Sequence, residues 1–197
     1  MKKLFICFYL FLFISLSATS QESWRNTFSI EPFIGWGEEM IVGLWGIEYG
    51  TRVNYSIFDR FGLSASLGSF QSLTKSWNGW KAKNTSEMLA SAGIYVDILK
   101  CKDRHRLRLA TGATYFWITA LTHYFNKNIH PDIPQEVVYI HRFYKKFGTN
   151  LRLSYLYQFS DKWFLGVNLQ GYELFNNNND GLFTDNVTLG MSVGYNF

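Results

Sequence analysis

From Asn186 to Phe197 the chain alternates without a break: Val187, Leu189, Met191, Val193, Tyr195 and Phe197 are apolar, and every residue between them is small or polar. A period of two over that length predicts a strand with one face on lipid and the other on a polar interior. The pattern recurs upstream. Phe28, Ile30, Pro32, Ile34 and Trp36 alternate with Ser29, Glu31, Phe33 and Gly35, and Pro32, lacking an N–H, predicts a bulge or a local loss of pairing. A second strand, 45–55, sets Trp45, Ile47, Tyr49, Val53 and Tyr55 against Gly46, Glu48, Gly50, Arg52 and Asn54. Further alternating runs predict strands at 61–68, 88–98, 106–117, 147–159 and 163–170.

The predicted fold class is all-β: an eight-stranded antiparallel up-and-down transmembrane β-barrel. After a short first connection at 38–41, turns at 57–60, 100–105 and 160–162 alternate with longer loops at 74–86, 119–144 and 176–185. That alternation predicts short periplasmic turns and longer extracellular loops, with both termini at the turn end. Lysine supports the assignment, because on the lipid face near the midplane it costs roughly 2–4 kcal/mol and no predicted strand body contains one. Aromatic residues form two belts: Trp36, Trp45, Trp117 and Phe147 at the loop ends, and Tyr55, Phe61, Phe159, Trp163, Tyr195 and Phe197 at the turn ends. A soluble barrel would carry Lys and Glu on its outer face instead.

The start of the chain changes the compartment. Lys2-Lys3, an apolar run from Leu4 to Leu16 and the small residues Ala18-Thr19-Ser20 predict a signal peptide over 1–20, cleaved near Ser20, with the barrel over 21–197. Removing those two lysines leaves 17 basic against 15 acidic residues, too weak a bias for nucleic acid. Of the two cysteines, Cys7 lies in the leader, so Cys101 is expected as a free thiol in a turn. Aromatics at 19% and charged residues at 17% agree with a surface that meets lipid.

With leader, eight strands and the final aromatic placed, the mature chain resembles the small outer-membrane barrels of the OmpX and OmpA transmembrane-domain type. The resemblance is one of architecture and covers essentially all of 21–197. It implies an outer-membrane location, contact with outer-membrane lipid and lipopolysaccharide, and delivery by periplasmic chaperones and the barrel-assembly machinery. It also implies that Phe197, with Tyr195, serves as the assembly signal. Among members of that class are adhesins, structural proteins and lipid A-modifying enzymes.

Candidate chemistry is sparse. A deacylase-like site needs a His and a Ser two apart on one strand face; His123-Tyr124-Phe125-Asn126 has Phe125 in the hydroxyl's place, so no catalytic residue is assigned. His123, His130 and His141 match no metal-ligand spacing, and neither a metal nor a cofactor is expected. Trp77 and Trp80, interleaved with Lys75, Lys81 and Lys83, fit either a surface that binds lipopolysaccharide or sugar, or a packed loop cap. The expected function is therefore non-enzymatic, a structural or surface-binding, adhesin-like role with an unknown ligand; the alternative is a lipid A deacylase or acyltransferase.

The inward faces carry a predicted charge network of Glu31, Glu48, Arg52, Asp97, Arg106, Arg108 and Arg152. A tight first hairpin would put Glu31 nearly opposite Glu48, with Arg52 or Arg152 bridging them, and Asp97 opposite Arg106. Eight strands enclose a lumen that side chains can fill, so no sizeable solute is expected to pass.

Overall fold

The computed structural model describes residues 27–39, 44–73, 86–101, 104–125, 137–175 and 186–197. Its strands are β1 (Phe28–Glu39), β2 (Leu44–Ser56), β3 (Phe61–Ser72), β4 (Ser86–Cys101), β5 (His105–Phe125), β6 (Val137–Gln158), β7 (Trp163–Leu174) and β8 (Asn186–Asn196). Each pairs antiparallel with its sequence neighbours, and β8 closes on β1. The predicted fold class is the one observed, and closure leaves no sheet edge around the barrel wall.

Alternation sets the two faces. In β8, Leu189, Met191 and Val193 point outward and Thr188, Ser192 and Asn196 inward, with Met191 64% exposed and Ser192 4%. In β7, Trp163, Leu165, Val167 and Leu169 continue the apolar band while Asn168 and Gln170 are buried. Rings close the band at both ends. Tyr115 packs on Trp117 and Phe147 at the loop end, and Trp163, Tyr195 and Phe197 stack in series at the turn end. The final residue is tied in: the Phe197 N–H donates to the Phe28 carbonyl at 2.9 Å and its ring meets that of Phe28.

The structure corrects the predicted elements in four places. The stretch 119–144 is not one long loop, since β5 runs to Phe125 and β6 begins at Val137, with pairing unbroken from Thr119↔Phe143 to Phe125↔Val137. Runs such as Val137-Val138-Tyr139-Ile140 are β-branched and aromatic, and that propensity outweighs the histidines that suggested a loop. His123 and His141 are thereby strand positions, and Lys145 and Lys146 fall inside β6 at the level of Trp117 and Phe116. Cys101 ends β4 opposite His105 rather than lying in the turn, and it is exposed.

The third correction is a β-bulge. Pairing shifts by one residue between Asp97 and Leu99, so Asp97 lies opposite Arg108, not Arg106, and beyond the bulge Leu99 faces outward. Lys100 turns inward as a consequence, and its Nζ donates to Asp59 Oδ1 at 3.0 Å and Oδ2 at 3.2 Å. The fourth concerns the first hairpin: Glu31 pairs with Arg52, and Glu48 pairs with Gly35, so the two glutamates are not opposite each other. Pro32 behaves as expected. The β1–β8 ladder skips Glu31 and Pro32 and resumes in the same register at Phe33↔Ser192, a loss of pairing without a bulge.

The stretch 1–20 read as a leader, with cleavage expected near Ser20, the quartet Trp77, Trp80, Lys81 and Lys83, and His130 all lie outside the described residues.

Candidate functional site

The lumen is filled in three tiers. Nearest the turns, Asp97 is held by two arginines. Arg108 donates from Nε to Oδ1 at 2.7 Å and from Nη2 to Oδ2 at 3.1 Å, while Arg106 Nη1 donates to Oδ2 at 3.0 Å. The bulge makes this possible, because it puts Arg108 directly across from the carboxylate and leaves Arg106 on the diagonal, within reach of the same oxygens. The Arg108 guanidinium also lies 3.8 Å over the Tyr95 ring, whose hydroxyl shares a hydrogen bond with Ser56.

The middle tier is a relay across the lumen. Arg52 Nη1 donates to Glu31 Oε1 at 3.0 Å and Nη2 to Gln170 Oε1 at 2.9 Å. Gln170 Nε2 donates to the Tyr172 hydroxyl, which donates to Glu48 Oε1, both at 2.6 Å. Glu31 also accepts from Ser192 Oγ at 2.7 Å and Asn54 Nδ2 at 3.2 Å. The Arg52 guanidinium is covered by the Phe33 ring at 3.9 Å. That ring in turn lies in the space a Cβ on Gly50 would enter, at 2.9 Å, so glycine there gives Phe33 its seat.

The third tier, toward the loops, is apolar: Phe70, Leu89, Phe116, Ile118, Tyr172 and Leu174 pack into one buried cluster. Tyr172 joins the tiers, with its ring edge-on to Phe116 and its hydroxyl in the relay. Glu87, on the wall between Phe70 and Ile118, is also buried.

Of the predicted network, then, Glu31 and Arg52 form a pair, and Asp97, Arg106 and Arg108 a triad. Glu48 joins through Tyr172 and not through an arginine. Arg152 bridges no glutamate; its Nη2 donates to Ser64 Oγ at 3.3 Å. Sequence reasoning missed Glu87, Tyr172 and the apolar tier. Parity alone would have put Glu87 on the inward face of β4, two pairs beyond Ser91. Phe116 and Tyr172 share the inward parity of Thr114 and Gln170, but large aromatics on a barrel strand suggest a lipid contact, and the predicted strand 163–170 stops short of Tyr172.

The architecture matches solved membrane proteins. The chain is similar to the N-terminal β-barrel domain of Pseudomonas aeruginosa OprF, with a TM-score of 0.60 and 18% identity over 88% of this chain and 98% of that one. The fold is that of the small outer-membrane β-barrels. A second small outer-membrane barrel structure, Neisserial surface protein A, gives a TM-score of 0.57 at 8% identity, covering 88% of this chain and 98% of that one. Ail, the attachment invasion locus protein of Yersinia pestis, solved in complex with the heparin analogue sucrose octasulfate, gives 0.52 at 12% identity, covering 88% and 99%. No family model matches the sequence, and no curated protein does.

Proposed function

We propose that the chain is a bacterial outer-membrane barrel that conducts no sizeable solute, catalyses no reaction and acts at the cell surface through its loops. The observation that carries this reading is the filled lumen. Three tiers of interlocked side chains occupy it, and among the described residues a cavity on its wall and another at its turn end are each about 10 Å³, room for one water apiece. With the interior committed to structure, the loop end is where a ligand is engaged. On this reading the turns are periplasmic, the leader is cleaved near Ser20, and Trp77, Trp80, Lys81 and Lys83 contact lipopolysaccharide or another anionic glycan. The ligand in the Ail complex, a sulfated sugar, is of the same anionic class.

The experiment pairs two measurements on the purified barrel. Planar-bilayer recordings are expected to show no stable large conductance steps, and immobilised lipopolysaccharide is expected to retain the protein but not a variant with Trp77→Ala and Trp80→Ala. Stable large steps, or equal retention of the two forms, would overturn the corresponding half of the reading. Lipid A mass spectra from cells with and without the protein should coincide, and a changed acyl profile would establish an enzyme instead.

Phe197 and Tyr195 serve as the assembly signal on the same reading. Phe197→Asp is expected to reduce insertion in cells several-fold more than Asn196→Asp, because Phe197 lies in the aromatic belt while Asn196 is buried in the lumen mouth. Heat-modifiable migration of outer-membrane fractions reads the difference, and equal defects would remove the distinction.

A further inference from the structure

Pro32 lies midway along β1, between Phe28 in the turn-end belt and Trp36 in the loop-end belt. Backbone parity decides which of its two neighbours loses a hydrogen bond. The Phe197 N–H donates to the Phe28 carbonyl, so Phe28, Ile30, Pro32 and Ile34 turn their backbone groups toward β8. The Ser56 N–H donates to the Thr27 carbonyl, so the odd-numbered residues of β1 serve β2, and the β1–β2 ladder runs past Pro32 unbroken. The whole deficit therefore falls on the join that closes the barrel. In the register kept on both sides of the gap Pro32 faces Val193, whose carbonyl receives no donor from it.

Val193 is on the lipid face, 41% exposed, and hydrocarbon supplies no donor in exchange. Among the described residues every other ladder is continuous except at the β4–β5 bulge. At the gap the two strands are tied from the lumen side instead, where Ser192 Oγ on β8 donates to Glu31 Oε1 on β1 at 2.7 Å. We infer that the β1–β8 join is the seam along which the closed barrel opens, with Pro32 as the nick that starts the opening. Such an opening separates β8 from β1 while β8 stays paired with β7, so it is local and does not wait for global unfolding.

β8 carries its own control. Its odd-numbered amides cross to β1, whereas the Asn196 N–H donates to the Lys162 carbonyl, so its even-numbered amides cross to β7 at the same depth in the membrane. Amide hydrogen exchange of the whole barrel in detergent micelles, read by NMR and referred to each residue's intrinsic rate, is expected to show Val193 and Tyr195 roughly tenfold less protected than Ser192 and Gly194, the factor that one backbone hydrogen bond is worth. Pro32→Val returns an N–H on a strand-forming residue and is expected to level this alternation. Should that variant fail to fold, Ser29→Cys with Asn196→Cys places two thiols on facing positions of the same seam, with Cys101→Ser removing the exposed thiol. Oxidation is expected to abolish the alternation and reduction to restore it, in one and the same protein. Equal protection at odd and even amides of the unmutated barrel, an alternation that survives Pro32→Val, or one that survives the cross-link would each overturn the proposal.

Discussion

Asp97→Ala is expected to lower the unfolding free energy of the barrel by roughly 3–5 kcal/mol, the cost of breaking a buried ion pair from one side. Here one carboxylate serves two guanidiniums, Arg106 and Arg108, all three being under 4% exposed, so its removal leaves two buried cations on neighbouring inward positions. Asp97→Asn should fall between, since the amide keeps an acceptor oxygen but not the charge. The double variant Asp97→Ala with Arg108→Met should recover part of the loss, because methionine keeps a long apolar contact with the Tyr95 ring that the guanidinium now covers. Urea unfolding in detergent micelles reads all four proteins. If Asp97→Ala costs less than Asp97→Asn, or the second change recovers nothing, the triad does not hold the turn end together.

Barrel topology was legible because lipid imposes a rule of period two that no local preference overrides: an outward polar residue in β7 or β8 would face hydrocarbon. The final strand was therefore correct residue by residue. What parity does not encode is the offset between neighbouring strands. Asp97 and Arg106 both point inward whichever register holds, and only the one-residue bulge at the end of β4 makes Arg108 the facing partner. Glu31 and Glu48 failed for the same reason: a hairpin closed at 38–41 would set them opposite, whereas the observed hairpin sets Glu31 on Arg52. The 119–144 stretch failed differently. Histidine and proline suggested a loop, but Phe116 to Phe125 and Val137 to Tyr144 carry enough β-branched and aromatic side chains to extend the β5–β6 ribbon past the neighbouring strands. The aromatic plug was overlooked although parity sets Phe70 with Gly68 and Phe116 with Thr114 on the inward face, because such rings suit lipid equally well and the predicted strand 61–68 ended before Phe70.

The largest consequence of the observed register is that Arg52, not Arg152, holds the middle tier. Arg52→Met is expected to cost roughly 3–5 kcal/mol, because Glu31 then keeps only neutral donors, Ser192 and Asn54, and Gln170 loses the guanidinium that orients it toward Tyr172. Methionine retains the apolar contact with Phe33, so the loss reports the ion pair more than the packing. Adding Glu31→Gln should return most of the stability, since an amide in place of the carboxylate removes the stranded charge and still accepts from Ser192. The same cycle run between Glu31 and Arg152 should give a much smaller coupling, because Arg152 reaches Ser64 and no carboxylate. Both cycles need only urea unfolding curves for the single and double variants in micelles. A coupling at Glu31–Arg152 as large as that at Glu31–Arg52 would mean that the two arginines exchange places on Glu31, and the middle tier would then be a pair of alternative bridges instead of one fixed relay.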